Sequence, residues 1–240
     1  MTRFHHSLSC GVVYYSDCLP GTDILDASRR TIEASGLPIV AVTLAPIDWP
    51  AVRNVALPLQ RSVLSMFLQI LAGLEVLDTD DVFLAEHDVL YHRSHWAFVP
   101  PREDCYYYNI NTVKLDATTG KAVTYVTKQT SGLCANRQLL VEHYRRRIDM
   151  VERHGFTRRM GFEPGSHRRQ ERIDDVPSAV WRSKYPNIDI RHAHNLTASR
   201  WSPDEFRDQR NCQGFTEVVD IPGWGRAVDL AAKLRGEVAA

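Results

Sequence analysis

Short apolar runs and amphipathic segments alternate along the first part of the chain. The β-branched and aromatic residues 11–15 predict a first strand. Residues 23–34 carry apolar side chains at helical spacing, and Gly36 and Pro38 favour a helix that ends just before them. The apolar residues 38–44 predict a second strand. A strand, a helix and a strand in this order make a β-α-β unit, which typically opens an α/β sheet.

The same alternation continues to the end of the chain. Leucines and a phenylalanine three or four residues apart predict a core-facing helix over residues 62–77, with Ser62 as its N-cap. Three prolines indicate an irregular loop over residues 45–60. The other predicted elements are a buried strand ending at Glu86, a hairpin over 105–127, a helix over 137–153, a strand over 186–192 and a last helix over 226–238. We therefore predict an α/β protein.

Two carboxylates, Glu86 and Asp88, directly follow the buried strand. Ligands of open α/β sheets collect beyond the carboxyl ends of the strands. In extended geometry residues two apart point the same way, and two neighbouring carboxylates are costly without a positive charge between them. This spacing predicts Mg²⁺ or Mn²⁺ bound to a phosphate. An ordinary acidic loop is the alternative that spacing alone leaves open.

Other polar residues also follow predicted strands or precede a helix. Ser16 and Asp17 end the first strand, where nucleotide bases and riboses bind, although Asp17 could instead cap the next segment. Arg61 precedes a helix N-terminus, where it could hold a phosphate or simply be solvated. His192 ends the late strand, and either it or His194 could complete the metal site.

Three histidines near the carboxylates, His87, His92 and His95, do not by themselves predict zinc. Structural zinc needs four closed ligands and catalytic zinc three rigidly placed ones, and no second His/Cys cluster is adjacent in sequence. We expect His92 and His95 to orient the loop or to contact substrate.

A second polar loop spans residues 161–167 and contains two glycines and a proline. It presents Glu163 and His167, a carboxylate and an imidazole that suit proton transfer, or it is a plain surface turn. Arginines flank this loop at Arg158, Arg159, Arg168, Arg169 and Arg172. Such density fits phosphate contacts, and a solvated basic face is the common alternative.

Composition limits the class of protein further. Residues 1–120 hold 8 Lys+Arg against 14 Asp+Glu, and residues 121–240 hold 21 against 15, so the second half permits a polyanionic partner. The 5 cysteines are scattered without CxxC spacing, which indicates a reducing cytoplasm rather than a disulfide framework. No apolar run predicts a membrane span or a signal peptide.

Taken together, these strings resemble a nucleotide-sugar-dependent glycosyltransferase of the GT-A type. The resemblance covers roughly residues 10–200 and rests on YYSD at 14–17, MFLQILAGLE at 66–75, AEHDVLYH at 85–92, SGLC at 131–134, GFEPGSH at 161–167 and IRH at 190–192. It implies a GT-A-like (Rossmann-like) mixed sheet with helices on both faces, in a single domain over 1–240. Within that domain, about 10–100 would bind the donor, about 101–200 the acceptor, and 201–240 would form a tail and helix.

The resemblance also implies roles for the site residues. Glu86-His87-Asp88 would be the DxD-type motif, with Asp88 on the metal and Glu86 near the ribose or sugar. Glu86 replaces the usual first Asp, which leaves its part in metal binding open. Ser16, Asp17, Arg61 and His87 would complete the contacts to a UDP-sugar, and a late histidine as metal ligand fits His192 or His194.

The strings are similar to a phage and bacterial group that includes transferases accompanying TET-type dioxygenases, which glycosylate 5-hydroxymethylcytosine in DNA. DNA is therefore the expected acceptor, with Glu163 as the base, His167 as the second candidate, and the arginines on phosphates. Two other classes stay open: a nucleotidyltransferase that uses the same metal and carboxylates, and an inactive fold that only binds DNA or a partner.

Overall fold

The computed structural model describes residues 9–19, 21–50, 52–157, 160–165 and 173–237. Its helices are α1 (Thr22–Glu33), α2 (Val63–Val76), α3 (Arg137–His154) and α4 (Ala227–Leu234). Its strands are β1 (Cys10–Ser16), β2 (Ile39–Thr43), β3 (Arg53–Ala56), β4 (Asp81–Glu86), β5 (Val89–Leu90), β6 (Tyr106–Asn109), β7 (Thr112–Asp116), β8 (Ala122–Thr124), β9 (Leu133–Asn136), β10 (Ser178–Trp181), β11 (Asn187–Arg191), β12 (Thr216–Glu217), β13 (Asp220–Ile221) and β14 (Gly225–Arg226).

A seven-stranded mixed sheet forms the centre of the fold, in the order β10-β6-β9-β4-β1-β2-β3. Strands β4, β1, β2 and β3 are parallel neighbours, whereas β9 runs antiparallel to both β4 and β6. The parallel strands bring Ser16, Thr43 and Glu86 to one carboxyl edge. The predicted α/β class and the mixed, Rossmann-like sheet are confirmed.

Helices cover both faces of this sheet, as predicted. On one face α2 and α3 pack against Val13, Tyr15 and Leu84, and on the other α1 packs through Ile32 against Val12 and its neighbours. Side chains alternate along a strand, so odd and even positions of β1 serve different helices. Buried on both faces, the central strands read as continuous apolar runs.

Helix α2 is fixed at both its start and its middle. Ser62 is the predicted N-cap: its hydroxyl accepts a hydrogen bond from the Ser65 N–H at 2.9 Å, and the Ser65 hydroxyl accepts one from the Ser62 N–H at 2.8 Å. Gly73 lets the helix lie directly on β1, because a Cβ at this position would come within 2.4 Å of a Val13 methyl carbon. The helix N-terminus therefore points at the carboxyl edge of the sheet.

A second sheet of five strands has the order β12-β8-β7-β11-β5. Its strands β7 and β11 are parallel, and β5 pairs antiparallel with β11. One face packs through Ile188, Ile190 and Leu115 against α4. Because side chains alternate, Lys114 and Asp189 point to the opposite face. Strand β11 thus joins β5 to the rest of the second sheet, and β5 follows β4 of the first sheet after two residues.

Two predictions of local structure need correction. The loop 45–60 contains β3, an edge strand that pairs only with β2 among the described residues and lacks the alternation that marks a half-buried strand. The hairpin predicted over 105–127 is only β7 and β8, which do pair antiparallel. Residues Tyr106–Asn109 instead join the first sheet beside β9 and β10, whose partners lie too far along the chain for a local pattern to reveal.

The described part of the chain contains no helix with the length and apolar composition needed to cross a bilayer.

Candidate metal and nucleotide site

Three side chains that could hold a cation meet at the carboxyl edge of the first sheet. One ligand atom each from His87, Asp88 and His192 lie within 4.8 Å of one another. His87 and Asp88 form the turn between β4 and β5, and His192 directly follows β11. The pairing of β11 with β5 brings these distant parts of the sequence together, and the Ile190 N–H donates to the Asp88 carbonyl at 2.8 Å.

The turn at His87 and Asp88 contradicts one expectation drawn from the sequence. We expected the chain to stay extended through Asp88, which would point Glu86 and Asp88 the same way. Strand β4 ends at Glu86 and the chain turns over the next two residues, so the two carboxyl groups lie in different surroundings. Glu86 is not part of the three-residue cluster found among the described residues.

Asp88 is buried and surrounded by donors. Its Oδ2 accepts a hydrogen bond from the Asn195 amide at 2.7 Å and lies 3.4 Å from His192 Nε2 and 3.9 Å from His87 Nε2. Burial alone would raise the pKa of Asp88, but His87, His192 and Arg191 outweigh it and the pKa is lowered. Asp88 is therefore a carboxylate, the protonation state that a metal ligand needs.

The two histidines have ring nitrogens left over for a ligand. Within the described part of the chain, His192 Nε2 and His87 Nδ1 are buried without a hydrogen-bond partner. The His192 Nδ1 accepts from the His194 N–H at 3.2 Å, so the neutral ring carries its proton on Nε2 in this arrangement. Binding of a cation through Nε2 would require the neutral ring to change tautomer, with its proton on Nδ1 and the contact from the His194 N–H given up. A buried carboxylate with the unpartnered His192 Nε2 3.4 Å away and His87 Nε2 3.9 Å away fits a divalent cation.

Glu86 sits in an apolar environment on the α2 and α3 face. Its Oε1 accepts a hydrogen bond from the Tyr15 hydroxyl at 2.5 Å, and its N–H donates to the Tyr91 hydroxyl at 2.9 Å. The pKa of Glu86 is raised to about 8. Burial is the largest cause and the charge of Asp88 the second, and the two together outweigh the Tyr15 hydrogen bond, which lowers the pKa. Near neutral pH, Glu86 is thus a protonated acid next to an ionised Asp88, the usual outcome for two close carboxyl groups.

The raised pKa of Glu86 predicts a falling stability with rising pH in the metal-free protein. The pKa of Glu86 is about 8 in the folded state and 4.5 ordinarily. The stabilisation that this difference gives the folded state is therefore full below pH 4.5 and is lost as pH rises through 8. We expect a loss on the order of a few kcal/mol in the free energy of unfolding. Urea unfolding across this pH range measures it.

The matched variant for this measurement is Glu86→Gln, which stays neutral and should flatten that part of the profile. Asp81, whose pKa burial raises to about 6, contributes a fall of the same sign in both proteins, so the difference between the curves isolates Glu86. Identical slopes for the two proteins would contradict the raised pKa.

Asp17 and Arg61, both predicted to contact a donor, meet at the rim of the site. The Arg61 Nε donates to Asp17 Oδ2 at 2.5 Å, and a terminal nitrogen of the same guanidinium donates to the His194 carbonyl. Asp17 Oδ1 lies 3.7 Å from His87 Nε2. Arg61 therefore connects the end of β1 to the segment after β11. The Ser16 hydroxyl accepts from the Cys18 N–H at 2.9 Å and holds the same turn.

The remaining predicted residues are placed less directly. The charge of the half-buried Glu163 is among the influences that raise the pKa of Glu86, so Glu163 lies within electrostatic range of that carboxyl group. His194 contributes its carbonyl to Arg61, while its ring is 6.1 Å from that of His192. His167, Arg158, Arg159, Arg168, Arg169 and Arg172 lie outside the described residues. The functional roles of all these residues stay predictions.

His92 and His95, two of the three histidines considered for zinc, organise the loop after β5. His95 is fully buried, and its Nδ1 lies 3.0 Å from the Asn109 amide nitrogen and 3.2 Å from that of Asn187. Burial lowers the pKa of His95 to about 3, so its ring is neutral. His92 Nδ1 accepts from the Ser94 N–H at 3.1 Å. Both side chains thus orient the chain next to the site.

Sequence reasoning missed two residues of the site. Tyr15 reads as a core residue of β1, and only its register opposite Glu86 reveals its hydrogen bond. Asn195 has no motif of its own, yet its amide holds both Asp88 and, at 3.4 Å, the Ile190 carbonyl. An asparagine three residues beyond a candidate metal ligand was the available signal.

Comparisons with known proteins add little to this geometry. No protein-family model matches the chain, and no curated protein matches it by sequence. Among solved structures, the inositol-1-phosphate CTP transferase from T. maritima is similar over 99% of this chain and 100% of that one, with 10% identity and a TM-score of 0.43. A TM-score of this size carries no argument, so the α/β class rests on the topology itself.

Proposed function

We propose that the chain is a metal-dependent transferase that uses a nucleotide-linked donor. The observation that supports this function is the meeting of His87, Asp88 and His192 at the carboxyl edge of the sheet, beside Asp17 and Arg61. This edge is where open α/β sheets bind nucleotides. A cation there would neutralise the leaving phosphate groups.

The chain's own residues would bind and orient the substrates. Asp88 would hold the cation as a carboxylate, kept in place by the Asn195 amide. Of the two predicted cations, Mn²⁺ suits a set of two imidazoles and one carboxylate better than Mg²⁺, which prefers oxygen ligands. Arg61 already lies across the rim and would exchange part of its contact with Asp17 for a phosphate oxygen.

The reaction we propose is transfer of a sugar from a nucleotide sugar, with UDP as the expected nucleotide. The bond between the anomeric carbon and the diphosphate breaks, a bond to the acceptor hydroxyl oxygen forms, and the nucleoside diphosphate leaves. Glu163 is our candidate for taking the hydroxyl proton, with His167 as the second. This choice of donor and of base rests on the sequence resemblance and on the position of the Glu163 loop.

The acceptor we propose is 5-hydroxymethylcytosine in DNA, and it rests on the sequence resemblance alone. A base in a duplex would have to be flipped out to reach the site. Arg158, Arg159, Arg168 and Arg169 would then contact the phosphate backbone, and binding would weaken with salt.

Product analysis tests this function. The full chain is incubated with radiolabelled nucleotide sugars and hydroxymethylated DNA, with Mn²⁺ or with EDTA. We expect labelled DNA and a nucleoside diphosphate only when Mn²⁺ is present. Release of pyrophosphate from a nucleoside triphosphate would instead identify a nucleotidyltransferase. Full activity in EDTA would remove the metal from the mechanism.

A further inference from the structure

A second polar cluster lies on β7 and β11, on the face of the second sheet away from α4. Lys114 and Asp189 are direct neighbours in the register of the two strands. Lys114 is only 6% exposed. Its Nζ lies 4.2 Å from the centre of the Tyr125 ring and 3.4 Å from Gln129 Oε1. The proposed transferase chemistry uses none of these residues.

The Lys114 ammonium has few partners for a buried charge. Asp189, the carboxylate beside it, is already engaged: Oδ2 accepts from the Gln129 amide at 2.6 Å, and Oδ1 from Arg191 at 3.2 Å. Among the described residues, Lys114 makes no ion pair within 4.0 Å. An ammonium has three donors, and among the described residues it meets only Gln129 Oε1 and the Tyr125 ring, so its burial is costly.

Further positive charge surrounds the same point. Burial is the largest cause that lowers the pKa of Lys114, which lies at about 8 after Asp189 has raised it and Arg191 and Arg200 have lowered it. The Arg200 guanidinium carbon lies 5.0 Å from the centre of the Phe206 ring, and that ring packs edge-on against Tyr125 with the ring centres 4.9 Å apart. Lys114 and Arg191 thus share the neighbourhood of one carboxylate, Asp189, with Arg200 close by. Their mutual repulsion would be relieved by an anion.

Strand β11 connects this cluster to the candidate metal site. Arg191 directly precedes His192, and its charge is one of the influences that lower the pKa of Asp88. Asp189 likewise acts on Glu86. An anion bound at Lys114 would therefore lie within electrostatic range of the cation site. Arg200 is exposed, so the cluster is open to solvent from its side.

We propose that Lys114, Arg200 and Tyr125 form an anion subsite that binds a compact phosphomonoester, a ligand separate from the donor and from the DNA acceptor. This inference goes beyond the proposed function and does not depend on it. The ammonium and the guanidinium would each donate to phosphate oxygens, and the Tyr125 hydroxyl would add a third donor. A deeply buried lysine suits a compact terminal phosphate better than the continuous backbone of a nucleic acid.

Phosphate binding without nucleotide or metal tests the subsite separately from the transferase reaction. Inorganic phosphate and glycerol phosphate are titrated into the full chain at pH 7, where Lys114 is charged, and binding is followed by calorimetry. We expect Lys114→Met and Arg200→Gln each to weaken binding about tenfold, the effect of losing one hydrogen bond to a charged group. Lys121→Met, an exposed lysine at the start of the neighbouring strand, should bind as wild type.

Each outcome decides the proposal. Equal phosphate affinity in wild type, Lys114→Met and Arg200→Gln overturns it, as does displacement of phosphate by a short DNA duplex at equal phosphate concentration, which would indicate a nucleic-acid groove. If Lys114→Met does not fold, Arg200→Gln and the ¹³C resonance of the Lys114 Cε in wild type replace it. Bound phosphate should raise the pKa of Lys114 above about 8, and an unchanged value contradicts the subsite.

Discussion

Replacing Asp88 with asparagine is expected to weaken Mn²⁺ binding by about 100-fold or more, because even partners that only orient metal ligands are worth 10–100-fold. The change removes the only carboxylate of the three-residue cluster. It keeps the side-chain size and an oxygen that can accept from the Asn195 amide, so the turn should hold its shape. Titration of the full chain with Mn²⁺, with free ion read by electron paramagnetic resonance, measures the loss.

The same substitution should also act on Glu86. The charge of Asp88 helps to raise the pKa of Glu86, so Asp88→Asn should bring that pKa down toward its ordinary range. A matched control is Asp26→Asn on α1, whose carboxylate is exposed and lies 3.9 Å from Arg29. The control should bind Mn²⁺ as wild type does. Wild-type Mn²⁺ affinity in Asp88→Asn would show that the cation, if bound, is held elsewhere.

The carboxyl edge of the sheet could be predicted because its residues are marked by where strands end. The runs before Asp17 and Asp88 are apolar and stop abruptly, and isoleucines alternate before His192, so each could be assigned to a strand end from the chain alone. Parallel strands then bring two of these ends to one edge. His192 reaches the same place through an antiparallel pairing of two short strands, β11 and β5, which no local pattern in the sequence determines.

What the sequence did not reveal depends on contacts between distant segments. The assignment of Tyr106–Asn109 to a hairpin was wrong because its true neighbours are β9 and β10, and local alternation carries no information on pairing at that range. Lys114 is a single lysine in a polar-apolar alternation, a pattern typical of a solvated strand face. Only the register with Asp189 shows that it is buried.

The pair Glu86 and Asp88 shows how the fold separates two like groups. Read as a motif, both are acids that could bind one ion. In the structure Asp88 is surrounded by His87, His192 and Arg191, which favour its ionised form, whereas Glu86 continues the buried face of β4 beside Tyr15. A protonated Glu86 can donate a hydrogen bond to a substrate oxygen, and a nearby cation would favour its ionisation. Metal binding and the protonation of Glu86 are therefore expected to oppose each other.

A network of buried polar side chains supports the loop that carries Glu163. The buried Arg147 on α3 donates from Nε to His143 Nε2 at 3.0 Å and from a terminal nitrogen to the Gly161 carbonyl at 2.7 Å. His143 Nδ1 is hydrogen-bonded to Asp174, which also accepts from the Tyr106 hydroxyl at 3.0 Å. Gly161 and Asp174 lie on either side of Glu163 in the chain. This network therefore ties both sides of the loop to α3.

Replacing Arg147 with methionine should destabilise the protein by about 3–5 kcal/mol, the usual cost of removing one partner from a buried charged network. Methionine keeps much of the length and the packing against Phe67, whose ring lies 4.9 Å from the guanidinium carbon. The Gly161 carbonyl and His143 Nε2 would lose this donor. At roughly 2–4 °C per kcal/mol for a chain of this size, thermal unfolding should shift down by about 6–20 °C.

The neighbouring arginine provides the control that separates this effect from a loss of charge. Arg146 is exposed on the same helix, so Arg146→Met should change stability by no more than about 0.5 kcal/mol. Helical spacing turns the three consecutive arginines 145–147 in different directions, and only the third is buried. If Arg147→Met unfolds at the wild-type temperature, its hydrogen bonds do not hold the Glu163 loop. If it instead is destabilised but retains full activity, the loop does not depend on this network for its catalytic position.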